Sequence, residues 1–182
     1  MKTEHTYKSL PSQMTRVQFL NCFGSVYESS PWIAETAWDL GQIDSKALDS
    51  AEKLSSIFSQ IVDKASDKKK LALLNAHPDL AGKLAIAGKL TADSSKEQAG
   101  ADLQNCTKEE FEQFQKLNTN YKEKFGFPFI LAVQGYQRSE ILKIFQKRIK
   151  NSIEEEYKVA LAQVNRIALL RLSRIEQTPR NN

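Results

Sequence analysis

Along most of the chain, apolar residues recur three and four positions apart, the alpha period, and they rarely alternate with polar ones. Leu48, Ala51, Leu54, Ile57, Phe58, Ile61 and Val62 trace one such face, which predicts a long helix opened by Asp44 or Ser45. Before it, Thr15 with Gln18 three residues on reads as a capping box over Val17, Phe19, Leu20 and Phe23. Gly24 to Ser30 breaks that helix. Pro31 suits the first turn of a second one, which carries Trp32, Ile33, Ala37, Trp38 and Leu40 and is ended by Gly41. Asp67 is the expected cap of a segment running to Ala76, and Pro78 is expected to start a short helix to about Gly88. Residues 91–95 read as a polar linker, with Ser94–Glu97 and Ser95–Gln98 as overlapping candidate capping boxes. Thr107 with Glu110 repeats the signal before a helix to Lys124, and helices over 137–147 and 153–174 complete the series.

One stretch departs from this period. Phe125 to Gly135 is apolar, bracketed by glycine and proline, and has no evident strand to pair with. It is expected to run as buried extended chain with one helical turn. The fold class that follows is all-α, a single-domain bundle of about seven or eight helices with one buried extended segment. The domain is expected over residues 15–175, with flexible tails at 1–14 and 176–182.

Composition narrows the function classes. The 182 residues carry 26 Lys plus Arg against 22 Asp plus Glu, a net charge of +4 that favours solubility more than any particular partner. Lys68 to Lys70 and Lys143 to Lys150 are the densest basic runs. The second holds Ile144, Phe145 and Ile149, so it reads as an amphipathic helix with a wet basic face rather than a nucleic-acid stripe. Cys22 and Cys106 form no CxxC motif, no apolar run is long enough to span a bilayer, and the first residues lack a signal-peptide core. A soluble, cytoplasmic protein with neither nucleic-acid nor membrane partner is expected.

The candidate chemistry lies in His77-Pro78-Asp79-Leu80-Ala81-Gly82-Lys83 and, twenty residues on, Ser94-Ser95-Lys96-Glu97-Gln98. A histidine and a carboxylate suit proton transfer near neutral pH. Pro78 disfavours helix at His77 and places it at a helix junction. The plain alternative is a junction histidine satisfied by nearby backbone. Glu97 and Gln98 are either caps or, where only one register is used, side chains left for another role. The other histidine is His5, so no metal set of recognisable spacing exists and no metal is expected. Arg166 and Arg171, five residues apart on the last helix, point about 140° apart. Arg171, between Leu170 and Leu172, is expected to face inward, as a structural ion pair or a substrate anchor.

These blocks, with Phe-Gly-Phe-Pro-Phe at 125–129, Arg-Ile-Ala-Leu-Leu-Arg-Leu at 166–172 and Ser-Pro-Trp-Ile-Ala-Glu at 30–35, resemble the OHCU decarboxylase family over roughly residues 15 to 175. The resemblance implies an all-α homodimer. It implies decarboxylation of 2-oxo-4-hydroxy-4-carboxy-5-ureidoimidazoline to (S)-allantoin without metal or organic cofactor. The family's catalytic histidine and glutamate fall on His77 and Glu97. Its substrate-contacting positions fall on Pro78, Ser94, Gln98, the backbone of Phe129, Ile130, Leu131, Ala132 and Val133, and Arg171. Gln134 departs from the basic residue many relatives have there, a difference expected at the pocket rim. Two rival readings are a non-catalytic helical interaction protein and a lyase or hydrolase acting on another cyclic ureide.

Overall fold

The computed structural model describes residues 10–43, 49–82 and 90–176. Among them the regular structure is helical throughout: α1 (Arg16–Phe23), α2 (Trp32–Asp39), α3 (Ala51–Lys64), α4 (Asp67–Asn75), α5 (Ala92–Gly100), α6 (Lys108–Phe125), α7 (Arg138–Arg148) and α8 (Ile153–Glu176). No helix of the described residues is long and apolar enough to cross a membrane. The all-α class expected from the period is therefore what the chain adopts. It forms two compact units, one of residues up to Leu73 with Asn165 onward, the other Leu74–Val164.

Several element starts follow the sequence signals. Thr15 accepts from Gln18 N–H while Gln18 accepts from Thr15 N–H, and Thr107 with Glu110 does the same before α6. Gly41 follows α2 with φ 64°, a left-handed conformation glycine adopts without penalty. Other starts differ. Helix α3 opens at Ser50, whose side chain accepts from Lys53 N–H; Asp44, Ser45 and Leu48 lie outside the described residues. The cap of α4 is Ser66, which accepts from Lys69 N–H, and Asp67 serves as a first-turn acid. Residues 78–82 are not helical, because the chain turns back on itself at Ala81 (φ 48°); Lys83 to Gly88 lie outside the described residues. Residues 91–95 are not a linker. Thr91 caps α5 by accepting from Ser94 N–H, so Ser94 and Ser95 are helical and neither expected capping box forms. Residues 11–13 of the expected flexible lead-in form a 3₁₀ turn, and Ser12 donates to Asp49 at 2.6 and 2.8 Å.

In the first unit, Phe19 packs on Phe23 and edge-on to Phe58. Ile33, Ala37 and Leu54 are buried in the same unit, as are Ala168 and Leu172 of α8. Tyr27 lies against Phe58 and donates to Asn165 Oδ1 at 2.8 Å, and burial pushes its phenol pKa far up.

In the second unit, Tyr121 of α6 is fully buried amid Phe125, Phe127, Phe129 and Phe145, at ring separations of 4.5 to 5.9 Å. Gly126, at φ 77°, ends α6, and Pro128 keeps the following chain out of a helix. Of the stretch 125–135 expected to be buried and extended, Phe125 still belongs to α6 and residues 134–135 form an exposed turn, whereas residues 128–133 run outside any helix or strand and are mostly buried, with Phe129 stacked on Phe145 at 3.8 Å. Arg148 holds this segment from one side: its Nη1 donates to Ile130 O at 2.7 Å and its guanidinium lies 4.5 Å from the Phe129 ring centre. Its charge is met by Glu156, which is fully buried and accepts from Arg148 Nε at 2.9 Å, from Asn151 Nδ2 at 2.7 Å and from the Tyr121 hydroxyl. Burial, and then the bond to Glu156, push the Tyr121 phenol pKa far up. The basic run at 143–150 is therefore not wholly a wet face, because Arg148 is drawn into the core by this acid.

Glu156→Ala strands a buried guanidinium and is expected to cost about 3–5 kcal/mol. Urea denaturation measures it, and a loss below about 1 kcal/mol contradicts this reading of the pair.

Candidate active site

Helix α4 ends at Asn75, and the His77 N–H donates to Leu74 O at 3.2 Å as the chain leaves it. His77 is thus at a helix junction, as Pro78 predicts, and its side chain is buried. The turn that follows is tight. A Cβ on Gly82 would lie 2.8 Å from Asp79 Cβ and 3.1 Å from Asp79 O, so this position needs glycine. Leu80 and Ala81 are buried, and their backbone groups have no helix to satisfy them.

Side chains supply the missing partners. Gln98 Nε2 donates to Asp79 O at 3.2 Å, and its Oε1 accepts from Ala81 N–H at 3.1 Å. From α6, Gln115 Nε2 donates to Ala81 O at 2.9 Å and Asn118 Nδ2 to Leu80 O at 3.0 Å. Lys122 Nζ meets Asp79 Oδ2 at 2.7 Å.

Helix α5 carries Ser94, Glu97 and Gln98 at positions i, i+3 and i+4, which share one face. Ser94 and Gln98 are buried and Glu97 is half-buried. Because Gln98 grips the backbone on both sides of Leu80, the His77–Gly82 loop is docked on the helix that bears Glu97. This brings two of the polar blocks singled out in the sequence into one place, by a route the capping-box reading does not contain.

The other expected site residues are placed as follows. Phe129, Ile130, Leu131 and Val133 are buried and Ala132 is half-buried. The backbone of this segment is only partly unclaimed. Ile130 O accepts from Arg148 of α7, and Ala132 N–H donates to Gln163 Oε1 of α8 at 3.0 Å. Val133 O accepts from Tyr136 N–H. Arg171 is buried in the first unit, where it donates to Glu28 Oε2 at 3.0 Å and Val26 O at 3.3 Å, while Arg166 is exposed. The split of the two arginines follows the helical angle, and the structural ion pair is present. Gln134 is exposed. Among the described residues, no group of three or more His, Cys, Asp or Glu side chains is placed to hold a metal ion.

Gln115, Asn118 and Lys122 are not singled out by the sequence reading. A signal is there: Asn118 falls on the apolar stripe of Phe114, Tyr121 and Phe125, where a polar side chain needs a buried partner.

Comparison with known proteins adds a second line of observation. Residues 12–173 match a family model described as OHCU decarboxylase. A Haloferax volcanii protein named 2-oxo-4-hydroxy-4-carboxy-5-ureidoimidazoline decarboxylase is 39% identical over 155 residues, covering 85% of this chain and 87% of that one. A mouse protein of the same name is 33% identical, covering 86% and 85%. Among solved structures, a crystal structure of (S)-allantoin synthase matches with a TM-score of 0.71 at 32% identity. That match covers 90% of this chain and 52% of the other, so this chain spans about half that protein's length. A crystal structure of OHCU decarboxylase in the presence of (S)-allantoin shares the fold, with a TM-score of 0.62 at 19% identity, covering 88% and 98%.

Gln98→Leu leaves Asp79 O and Ala81 N–H without their partner. It is expected to lower unfolding free energy by about 1–3 kcal/mol in urea denaturation. An unchanged midpoint would mean that the loop does not depend on this amide.

Proposed function

Since this chain belongs to the OHCU decarboxylase family, we propose that it converts 2-oxo-4-hydroxy-4-carboxy-5-ureidoimidazoline to (S)-allantoin and CO2, without a cofactor. The observation that carries the reading is the docking of the His77 loop on the Glu97 helix through Gln98. It gives an imidazole and a carboxylate fixed backbones on adjoining segments, which proton transfer requires.

The reaction asks for little beyond this. The bond from C4 to the carboxylate breaks and CO2 leaves; the electron pair forms a double bond from C4 to the ureido-bearing carbon and displaces the imine pair onto the ring nitrogen, which takes up a proton from solvent. The 4-hydroxyl then gives up its proton as the C4 carbonyl forms, and a proton is added to the ureido-bearing carbon on one face. In this proposal His77 moves the hydroxyl proton, and Glu97 holds the ureido group so that one face is presented. Ser94 and Pro78 line the same place, and Gln98 contributes whatever hydrogen-bonding capacity its two loop bonds leave over. The same holds for the backbone of 129–133, which reads the urea-like groups through those N–H and C=O groups not already bound to Arg148, Gln163 and Tyr136. Arg171, which the resemblance puts among the substrate contacts, is held within the first unit by Glu28 and Val26 O, and no step of the proposed reaction is routed through it. A cytoplasmic homodimer is the proposed working form.

His77→Asn is expected to abolish enzymatic formation of (S)-allantoin while leaving the far-ultraviolet circular dichroism spectrum unchanged. The assay uses freshly made urate-oxidation product and follows CO2 release and the handedness of allantoin against an enzyme-free control. Full turnover in this variant would remove His77 from the chemistry.

A further inference from the structure

Helix α6 presents Gln115, Asn118 and Lys122 in one stripe, at spacings of three and four. They meet successive positions of the His77 loop in reverse order: Gln115 binds Ala81 O, Asn118 binds Leu80 O and Lys122 binds the Asp79 carboxylate. The stripe spans about 10 Å of helix rise. The turn from Asp79 to Ala81 is shorter than that, and the long Lys122 side chain takes up the difference. Asn118 is the telling member. It is 3% exposed, and its Oδ1 is buried without a hydrogen-bond partner. An apolar residue would avoid that cost, so the use of this side chain lies in the donor it gives Leu80 O.

We propose that Gln115, Asn118 and Lys122 are positioning residues for His77, acting through the loop rather than on the substrate. The kinetic part of this inference rests on the decarboxylation proposed above; the placement part does not. The chain has only two histidines, His5 and His77, so protein labelled in its histidine rings gives two sets of ring resonances, with His5 as internal reference.

Gln115→Met, at a half-buried position, is expected to shift the His77 ring signals and leave those of His5 in place. Its kcat is expected to fall about 10- to 100-fold, with KM changed far less. Lys122→Met, at an exposed position, is expected to shift the same signals by less, and Lys122→Arg to restore them. Wild-type His77 signals and kcat in folded Gln115→Met and Lys122→Met, with only the melting temperature lowered, would overturn the proposal. Shifted His77 signals in a protein whose wild type has no decarboxylase activity would uphold the positioning and sink the function.

Discussion

Buried backbone that has left a helix must find its hydrogen bonds elsewhere, and the second unit meets that demand twice. The loop after His77 and the extended segment after Phe127 both run through the interior without a regular partner. A helix satisfies its own N–H and C=O groups; these stretches cannot. Gln98, Gln115 and Asn118 serve the first, and Arg148 and Gln163 serve the second. Each stretch therefore has one defined path, and His77, Pro78 and the backbone of 129–133 are placed by those paths.

The two solutions differ in kind. Around His77 the partners of the backbone are neutral amides, which satisfy its groups without bringing in charge, and the Lys122 ammonium goes instead to the Asp79 side chain. Around Ile130 the partner is a guanidinium, which the interior tolerates because Glu156 stands against it. Glu156 in turn gathers Tyr121 and Asn151, so one buried acid ties α6, α7 and α8 to the extended segment. Such a network is costly to break in part, which makes the segment's conformation hard to alter piecemeal.

Much of this was legible in the sequence wherever a local rule decides. Thr15 with Gln18 and Thr107 with Glu110 are capping boxes because the partners are three residues apart. The extended segment announced itself by lacking a period. The rule failed where several local choices were equal and packing chose among them. Thr91, Ser94 and Ser95 can each cap a helix; the cap fell to Thr91, and this buries Ser94 and Gln98 on one face. Pro78 suits both a helix start and a turn, and the close approach of Gly82 to Asp79 marks the turn. Arg148 looks like one more base in a basic run until Glu156 is placed against it, and the partner of Arg171 is 143 residues away. In the candidate site, the part Gln115 and Asn118 play in holding the loop was not readable, because their partners are backbone atoms.

The central claim is that the His77 loop is fixed by side-chain hydrogen bonds, and amide hydrogen exchange at Ala81 tests it most directly. Its N–H is bound by Gln98. The expected result is protection comparable to that of amides inside α6. Exchange at the rate of an open surface loop would contradict the claim.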